Sequence, residues 1–420
     1  MFNVFRNAWK VKDIRKKLIF ILLILAVYRF GTHLALPGIH PETLDKMQSD
    51  PGFGTLVSLI TGGGRASIFA LGIGPYITSS IIMQLLTVAL PPLERLKKEG
   101  EEGRKKINQY SRVLAVVLAV LQASGTVYTL RTAFTYPSLF IYVAAVVSMV
   151  TGTIVIMWLG ELLTEKGIGN GSSFIIFANI ISNLPMAVRS MIVIATGEAG
   201  VEAKGVAMVI GILVLFIALI FFVVLVQGGE RRIPVQYSRR GQGKQQFAGQ
   251  NQYIPLKVNI AGVMSIIFAV SLIQFPQVLS QLMPDNTTLQ KINSVLDYNT
   301  FTGLPIYIVL IFCFTFFYTS FSINPIEMAE NMKKNASFIP GIRPGKPTSD
   351  YIDQTINRLS WIGASTYSVI AAAPVILSWI FDVQIGFGGT TLLIVTGVVL
   401  ELIKQLESNL LMRHYKGFLK

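Results

Sequence analysis

The sequence predicts an all-α polytopic membrane protein with ten transmembrane helices, and three observations lead to this prediction. Hydrophobic residues make up 52% of the 420 residues and charged residues only 14%. The hydrophobic residues occur in blocks of about twenty, the length at which a helix crosses a bilayer. The basic residues, which give the chain a net charge of +14, cluster between those blocks. Because a soluble chain of this length cannot bury so much apolar surface, a water-soluble enzyme fold is excluded.

Hydropathy identifies nine clear spans and one doubtful span. The clear spans are 18–36, 68–90, 113–130, 138–159, 206–227, 259–281, 305–323, 359–381 and 386–403. The doubtful span, 172–196, contains Pro185 and Arg189, so hydropathy alone does not decide whether it crosses the membrane.

The positions of the basic residues decide the count. The basic clusters lie in 1–17, 94–112, 228–257, 325–358 and from residue 404 onward. With ten spans, all of these clusters share one face of the membrane. Without 172–196, every later cluster would change sides and break the positive-inside rule. We therefore predict ten spans with both termini in the cytoplasm.

Ten spans divide into two halves of five, 1–200 and 201–420. Because five is odd, the second half runs in the opposite sense to the first, which is the arrangement of inverted-repeat channels and transporters. No sequence identity relates the halves, so this prediction rests on topology. A short apolar segment, 53–66, cannot span a bilayer and is interrupted by three glycines near its end, so it predicts a re-entrant or surface helix.

The predicted spans contain few charged residues. Arg29, Glu161, Arg189 and Glu401 lie near span ends, where snorkelling to the interface explains them. Polar side chains inside the spans fit either hydrogen bonds between helices or a shared polar-walled cavity. These are Thr78, Ser79, Ser80, Gln84, Asn179, Asn183, Ser265 and Gln274. A ten-span secondary transporter of a small solute is the alternative function, but ion-coupled carriers keep charges at membrane depth, so the lack of charges inside these spans disfavours it.

The sequence predicts no catalytic, metal or cofactor site. His33, His40 and His414 are too scattered for a metal cage, and Cys313 is the only cysteine. No histidine and carboxylate are available at membrane depth to activate a serine. The glycine-rich stretch 167–171 lacks the lysine of a phosphate loop, so it predicts a helix-entry turn. We therefore do not expect an enzyme.

Two cytoplasmic loops, 228–257 and 325–358, are about thirty residues long, which exceeds an ordinary connection. Both are basic, and the second contains the Pro- and Gly-rich stretch 339–347. Attraction to anionic lipid explains their charge but not their length. Shaped, projecting loops of this kind favour docking of a large partner with an acidic surface, either RNA, an acidic protein or both.

Five sequence strings resemble motifs of the SecY family, whose members are the central subunit of the bacterial protein-conducting channel. They are GIGPYITSSIIMQLL at 72–86, KKEGEEGRKKINQYSR at 97–112, GERRIPVQYSRR at 229–240, PLKVNIAGVMSIIFA at 255–269 and GIRPGKPT at 341–348. The resemblance covers essentially the whole chain.

This resemblance implies an hourglass pore between two five-helix halves in the cytoplasmic membrane. Unfolded secretory chains would cross through its centre, and the apolar segments of membrane-protein substrates would leave sideways into the lipid bilayer between spans 2 and 7. The implied partners are SecE, SecG, the SecA ATPase and the ribosome.

The resemblance also implies four groups of site residues. The pore ring comprises Ile77, Ile81, Ile176, Ile180, Ile267 and Ile394. The plug, about 53–66, comprises Phe53, Leu56, Leu59, Ile60, Gly62, Gly63, Gly64 and Arg65. The lateral gate is placed at Gln84 and Thr87 of span 2 and at Ser271 and Gln274 of span 7. Docking of the motor and the ribosome is assigned to Arg239, Arg240, Lys244, Arg343 and Lys346.

Overall fold

The structure is a computed structural model that describes residues 2–39, 67–136, 138–196, 203–237, 252–258, 260–282, 286–381 and 389–417. A helix lies at each of the ten predicted spans. These helices are α2 (Lys12–Gly31), α3 (Gly74–Ala89), α5 (Glu101–Thr129), α6 (Leu139–Lys166), α7 (Gly171–Thr196), α8 (Ala203–Gly228), α9 (Met264–Leu282), α11 (Gly303–Ser322), α13 (Lys346–Phe381) and α14 (Gly389–Gly417).

The remaining elements are shorter. They are α1 (Phe2–Lys10), α4 (Pro91–Lys98), α10 (Thr287–Leu296), α12 (Pro325–Lys334), a 3-10 turn (Arg131–Ala133) and the strands β1 (Glu230–Tyr237), β2 (Gln252–Lys257) and β3 (Ser337–Phe338). Five helices of the described chain are long and apolar enough to cross a membrane by length and composition alone, or six if α3 and α4 count as one bent span. The count of ten therefore still rests on the charge pattern.

The doubtful span is a continuous helix. α7 runs from Gly171 to Thr196 with Pro185 inside it. Proline removes one backbone hydrogen bond, but membrane helices tolerate it when neighbouring groups satisfy the freed carbonyl. The hydropathy of this segment is interrupted, yet its helical structure is not.

Four helices extend well beyond their apolar segments. α5 begins at Glu101, α6 ends at Lys166, α13 begins at Lys346 and α14 ends at Gly417. Each extension lies at the end of the helix that the charge pattern places in the cytoplasm. Hydropathy did not predict these extensions because they are amphipathic or polar, and it finds only the part that lipid would surround.

The chain forms two compact units. The first comprises Met1–Arg189, Ser271–Ser294 and Val398–Lys420, and the second comprises Ser190–Val270 and Val295–Gly397. The division into five-helix halves at residue 200 stays a prediction.

In the first unit, the ends of α5 and α6 pack with the segment that follows α2. Their core includes Leu36, Ala123, Val127, Phe134 and Met149. The aromatic rings of Phe134 and Tyr142 meet edge to face with centroids 5.2 Å apart. This core fixes one end of the α5–α6 pair.

A bend of 100° separates α3 from α4. Leu90, the residue between them, is extended (φ −109°, ψ 115°) because it precedes Pro91. A second proline at position 92 also lacks an N–H, so neither residue can continue the hydrogen bonds of α3. The sequence PP therefore ends the span and turns the chain.

In the second unit, the two long loops fold together. β1 pairs antiparallel with β2 from Glu230 to Val235 and with β3 at Gln236 and Tyr237, which gives the strand order β2-β1-β3. α12 and the first turns of α13 complete this group. We call β1, β2, α12, β3 and residues 346–359 the loop subdomain. The sheet was not predicted from the sequence.

The loop subdomain has its own hydrophobic core. Ile233 of β1, Leu256 of β2, Met332 of α12, and Ile352 and Ile356 of α13 are buried against one another. The residues at positions 352, 356 and 359 recur at helical spacing, so α13 presents an apolar face to this core before it reaches the predicted membrane span. The loops are therefore one folded body and not two separate projections.

Candidate functional site

α3 carries the first two predicted ring residues, Ile77 and Ile81, and a buried serine fixes the rotation of this helix. The Ser79 hydroxyl lies 2.9 Å from the backbone oxygens of Ser111 on α5 and Tyr76 in its own helix, and these two acceptors share its single proton. Positions two residues apart are about 200° apart on a helix, so Ile77 and Ile81 lie on the side of α3 away from Ser79. Of the two interpretations left open for Ser79, the structure shows the hydrogen bond between helices.

The next two ring residues, Ile176 and Ile180, are half-buried on α7. Two glycines let α7 approach α6 closely. A methyl group at Gly171 would overlap the backbone oxygen of Gly160, and a Cβ at Gly160 would lie 3.3 Å from Cδ1 of Ile175. Ile175 therefore faces α6, and Ile176, about 100° further around the helix, faces elsewhere.

The last two ring residues, Ile267 of α9 and Ile394 of α14, are also half-buried and each lies close in sequence to a packed neighbour. The ring of Phe268, which is fully buried, meets Phe314 of α11 edge to face at 5.7 Å. Leu392 belongs to a core cluster with α8. In both helices a buried side chain near the ring position holds the helix against a neighbour.

The six ring positions differ from the side chains that point outward from the spans. Phe140 on α6 and Ile217 on α8 are 82% and 66% exposed, whereas Ile81 is 6% exposed and the other five ring residues are intermediate. Four ring residues belong to the first unit and two to the second. Closure of these residues into one ring stays a prediction.

The four predicted gate residues differ in burial and bonding. The Thr87 hydroxyl is buried and donates to the backbone oxygen one turn earlier in α3 at 2.6 Å. The Gln84 amide nitrogen lies 3.4 Å from the Ser80 hydroxyl, and its Oε1 is buried without a partner in the described chain. Ser271 is half-buried and Gln274 is exposed. No hydrogen bond joins the α3 pair to the α9 pair among the described residues.

Two predicted docking residues lie where β3 connects to α13, Arg343 in the turn and Lys346 as the first residue of the helix. Arg343 and Lys346 are both exposed. The Thr348 hydroxyl donates to the backbone oxygen of Arg343 at 2.8 Å, which braces the turn while leaving the guanidinium directed to solvent. The other three docking residues, Arg239, Arg240 and Lys244, lie outside the described residues, as does the whole predicted plug from Phe53 to Arg65.

The basic hairpin of α4 and α5 carries perturbed groups outside the predicted spans. The hydrogen bond and positive charge of Lys98, 2.7 Å away, lower the pKa of the Glu94 carboxyl. Burial, followed by repulsion from Arg104, lowers the pKa of Lys97. Most other charges on this surface are exposed, so screening by salt keeps these pairs weak.

Sequence reasoning missed an ion pair between α5 and α6. Nε of Arg112 lies 2.6 Å from Oε1 of Glu161. Glu161 was interpreted as snorkelling alone, and that interpretation is incomplete because the carboxylate has a specific partner on the neighbouring helix. A pair this exposed contributes about 0 to 1 kcal/mol. Residues 49 positions apart give no local signal that they meet.

Comparison with known proteins identifies the family. The sequence profile described as SecY matches residues 67–403. The chain belongs to the SecY family. A relative from Streptomyces galbus, named protein translocase subunit SecY, is 42% identical, and the alignment covers 100% of both chains. A relative of the same name from Aquifex aeolicus is 40% identical over 100% of both chains.

Solved structures show the same fold. A structure titled as that of a protein conducting channel aligns with a TM-score of 0.63 at 18% identity, covering 93% of this chain and 91% of the other. The yeast Ssh1 complex bound to the 80S ribosome gives a TM-score of 0.62 at 15% identity, covering 94% and 89%. The predicted resemblance to the SecY family and the fold class are confirmed, and the chain is a multi-pass membrane protein.

Proposed function

We propose that this chain forms the pore of a protein translocase. It passes unfolded secretory polypeptides across the cytoplasmic membrane and releases apolar segments sideways into lipid. The observation that carries this proposal is the 42% identity to a translocase subunit. The alignment covers both chains in full, so the similarity is not confined to one shared segment. A small-solute transporter is not favoured, since the relatives that align over their full length are named as translocase subunits.

The ring residues support a seal made by dewetting. Isoleucine side chains offer neither charge nor hydrogen bonds, so a narrow collar of them excludes water and ions at rest. The same lack of polar groups leaves nothing that would hold a passing polypeptide. The half-buried state of Ile176, Ile180, Ile267 and Ile394 suits side chains that border a cavity.

The gate residues support a seam that parts easily. The Thr87 hydroxyl already donates within its own helix, so it has no proton left for a bond across the seam. Gln84 makes only a long contact with Ser80. An apolar signal segment that packs against such a seam would shift the balance toward the open state, because the closed state has few bonds to lose.

The partners follow from the family and the exposed basic turn. We assign to this chain the clamp subunit SecE, the peripheral subunit SecG, and docking of SecA and the ribosome at Arg343 and Lys346. The solved Ssh1 channel is bound to a ribosome, which supports the ribosome as a partner. This arrangement places both termini and the loop subdomain in the cytoplasm.

Site-specific photocrosslinking of a stalled secretory chain tests the proposal. A crosslinker at position 81 should capture the stalled chain, and one at position 217, where Ile217 points outward from α8, should not. Capture should require a motor and a functional signal sequence. Equal capture at both positions would contradict the proposal that the stalled chain passes position 81. Flux of a small solute without a motor would favour a transporter.

A further inference from the structure

The N-terminal helix α1 has one packed side and one open side. Ala8 is fully buried and the Val11 N–H donates to its backbone oxygen at 3.2 Å, where the chain bends into α2. On the open side, Trp9 is 48% exposed. Helical periodicity puts positions 2 and 5, both phenylalanine, on the same side as Trp9. The sequence therefore places three aromatic residues on one face of α1.

Basic residues border this aromatic side. Arg6 and Lys10 follow positions 2, 5 and 9 around the helix, and both are exposed. Four more exposed basic residues continue into the first turns of α2. The set comprises Arg6, Lys10, Lys12, Arg15, Lys16 and Lys17. None of these six forms an ion pair with any described part of the chain, and Asp13 is the only acid between positions 1 and 17.

We propose that α1 is an interfacial helix that binds the anionic phospholipids of the leaflet facing the N terminus. An aromatic face beside a basic face is the pattern of helices that lie at the boundary of headgroups and acyl chains. Tryptophan favours this depth, and lysine and arginine attract anionic headgroups. The inference rests on the proposed topology, in which this leaflet is cytoplasmic.

The placement of α1 favours lipid over RNA as the occupant. α2 begins at Lys12, and the first predicted span begins at residue 18, so α1 lies within a few turns of the membrane surface. Basic charge alone would serve a phosphate backbone equally well. An exposed tryptophan next to that charge, on a helix face where positions 2 and 5 are also aromatic, is better matched to a bilayer, because Trp9 would bury its apolar surface against acyl chains.

Quenching of Trp9 by brominated phospholipid tests the proposal in the full-length chain. Trp158→Phe, Trp361→Phe and Trp379→Phe leave Trp9 as the sole tryptophan. In nanodiscs containing phosphatidylglycerol, lipids brominated near the headgroup end of the acyl chain should quench Trp9 strongly. Nanodiscs of phosphatidylcholine alone should quench it less, and high salt should reduce the difference.

Charge reversal supplies the matched test. Arg6→Glu with Lys10→Glu should lower the ratio of lipid-bound to unbound α1 on the order of fivefold for each positive charge removed, and quenching of Trp9 should fall accordingly. Lys333→Glu with Lys334→Glu, two exposed lysines at the end of α12, should leave Trp9 quenching unchanged.

Three results would overturn the proposal. They are no quenching of Trp9, equal quenching with and without anionic lipid, and shielding of Trp9 only when ribosomes are added. If the triple variant does not fold, Trp9→Cys in a Cys313→Ser background carries an environment-sensitive fluorophore for the same comparison. The readout needs no translocation, so it can succeed while the proposed channel activity fails, or the reverse.

Discussion

Glycine residues set how closely the helices of the first unit approach their neighbours. On α6, a methyl group at Gly152 would overlap the backbone oxygen of Ile68, and Gly160 faces Ile175 of α7. The backbone of Gly171 meets α6 at the same place as Gly160. Small residues at such crossings are how membrane helices gain packing energy, because lipid offers no hydrophobic driving force between them.

Gly152→Ala should destabilise the protein by about 1 to 3 kcal/mol, because the added methyl must displace backbone and not a flexible side chain. Gly211→Ala on α8 is the matched control, since no atom lies within 4 Å of the position a Cβ would take. The control should be neutral or stabilising by up to about 1 kcal/mol. Melting temperatures in detergent measure both, and equal effects would contradict the close approach.

The loop subdomain is the element that the two long loops build in common. Its strands carry Ile233 and Leu256 inward, and α13 contributes Ile352 and Ile356 from the opposite side. The turn at Arg343 is therefore attached to a folded core, which would hold it in place for the proposed partners. A rigid scaffold beneath an exposed turn lowers the entropy lost on docking.

Ile233→Ala should lower the free energy of unfolding of this subdomain by about 2 to 5 kcal/mol, since part of a buried side chain is replaced by a cavity. Limited proteolysis of the β1–β2 hairpin measures the loosening, and cleavage should become faster. Ile326→Ala on α12, where the side chain is exposed, should not change the rate. Unchanged cleavage of the first variant would show that the hairpin is held by something other than this core.

Arg343→Glu should weaken SecA-driven export while leaving insertion of the protein into the membrane intact. The guanidinium is exposed and makes no ion pair with the described residues, so its reversal disturbs a docking surface and not the fold. Export of a model precursor into inverted vesicles measures the effect, with Lys333→Glu as a control of the same charge change. Normal export by the Arg343 variant would remove this residue from the docking surface.

At the scale of the whole molecule, the spacing of two exposed tryptophans on α13 matches the thickness of a membrane. Trp361 and Trp379 are both exposed on α13 and lie about 27 Å apart along the helix axis at 1.5 Å per residue. That separation is close to the thickness of the hydrocarbon core, about 30 Å. Because tryptophan concentrates at both interfaces, this spacing supports a membrane placement with the loop subdomain outside the lipid.

Ile81→Gly combined with Ile180→Gly should raise the ion conductance of the resting channel, because removal of two aliphatic side chains widens and wets the proposed collar. Planar-bilayer recordings measure the conductance. Ile217→Gly, which removes an outward-facing isoleucine and adds the same helix-weakening glycine, should leave it at the resting level. If both proteins leak equally, the ring assignment is wrong.

The sequence by itself determined the family and predicted the spans, each of which coincides with a helix, whereas the orientation of the spans stays a prediction. Apolar blocks and clustered charges are properties of contiguous stretches of sequence. Hydropathy and the positive-inside rule therefore predicted even α7, which contains Pro185. The motif strings determined the family for the same reason, since each is contiguous.

Only the tertiary structure decided which distant residues meet. The Ser79 to Ser111 bond, the Arg112 to Glu161 pair and the shared core of the two loops each join segments whose contact depends on how helices and strands pack. Packing also fixes the rotation of each helix, which decides whether an isoleucine faces lipid, a neighbouring helix or a cavity. No local pattern in an almost uniformly apolar span carries that information, because lipid and protein interior are nearly equal as solvents for an aliphatic side chain.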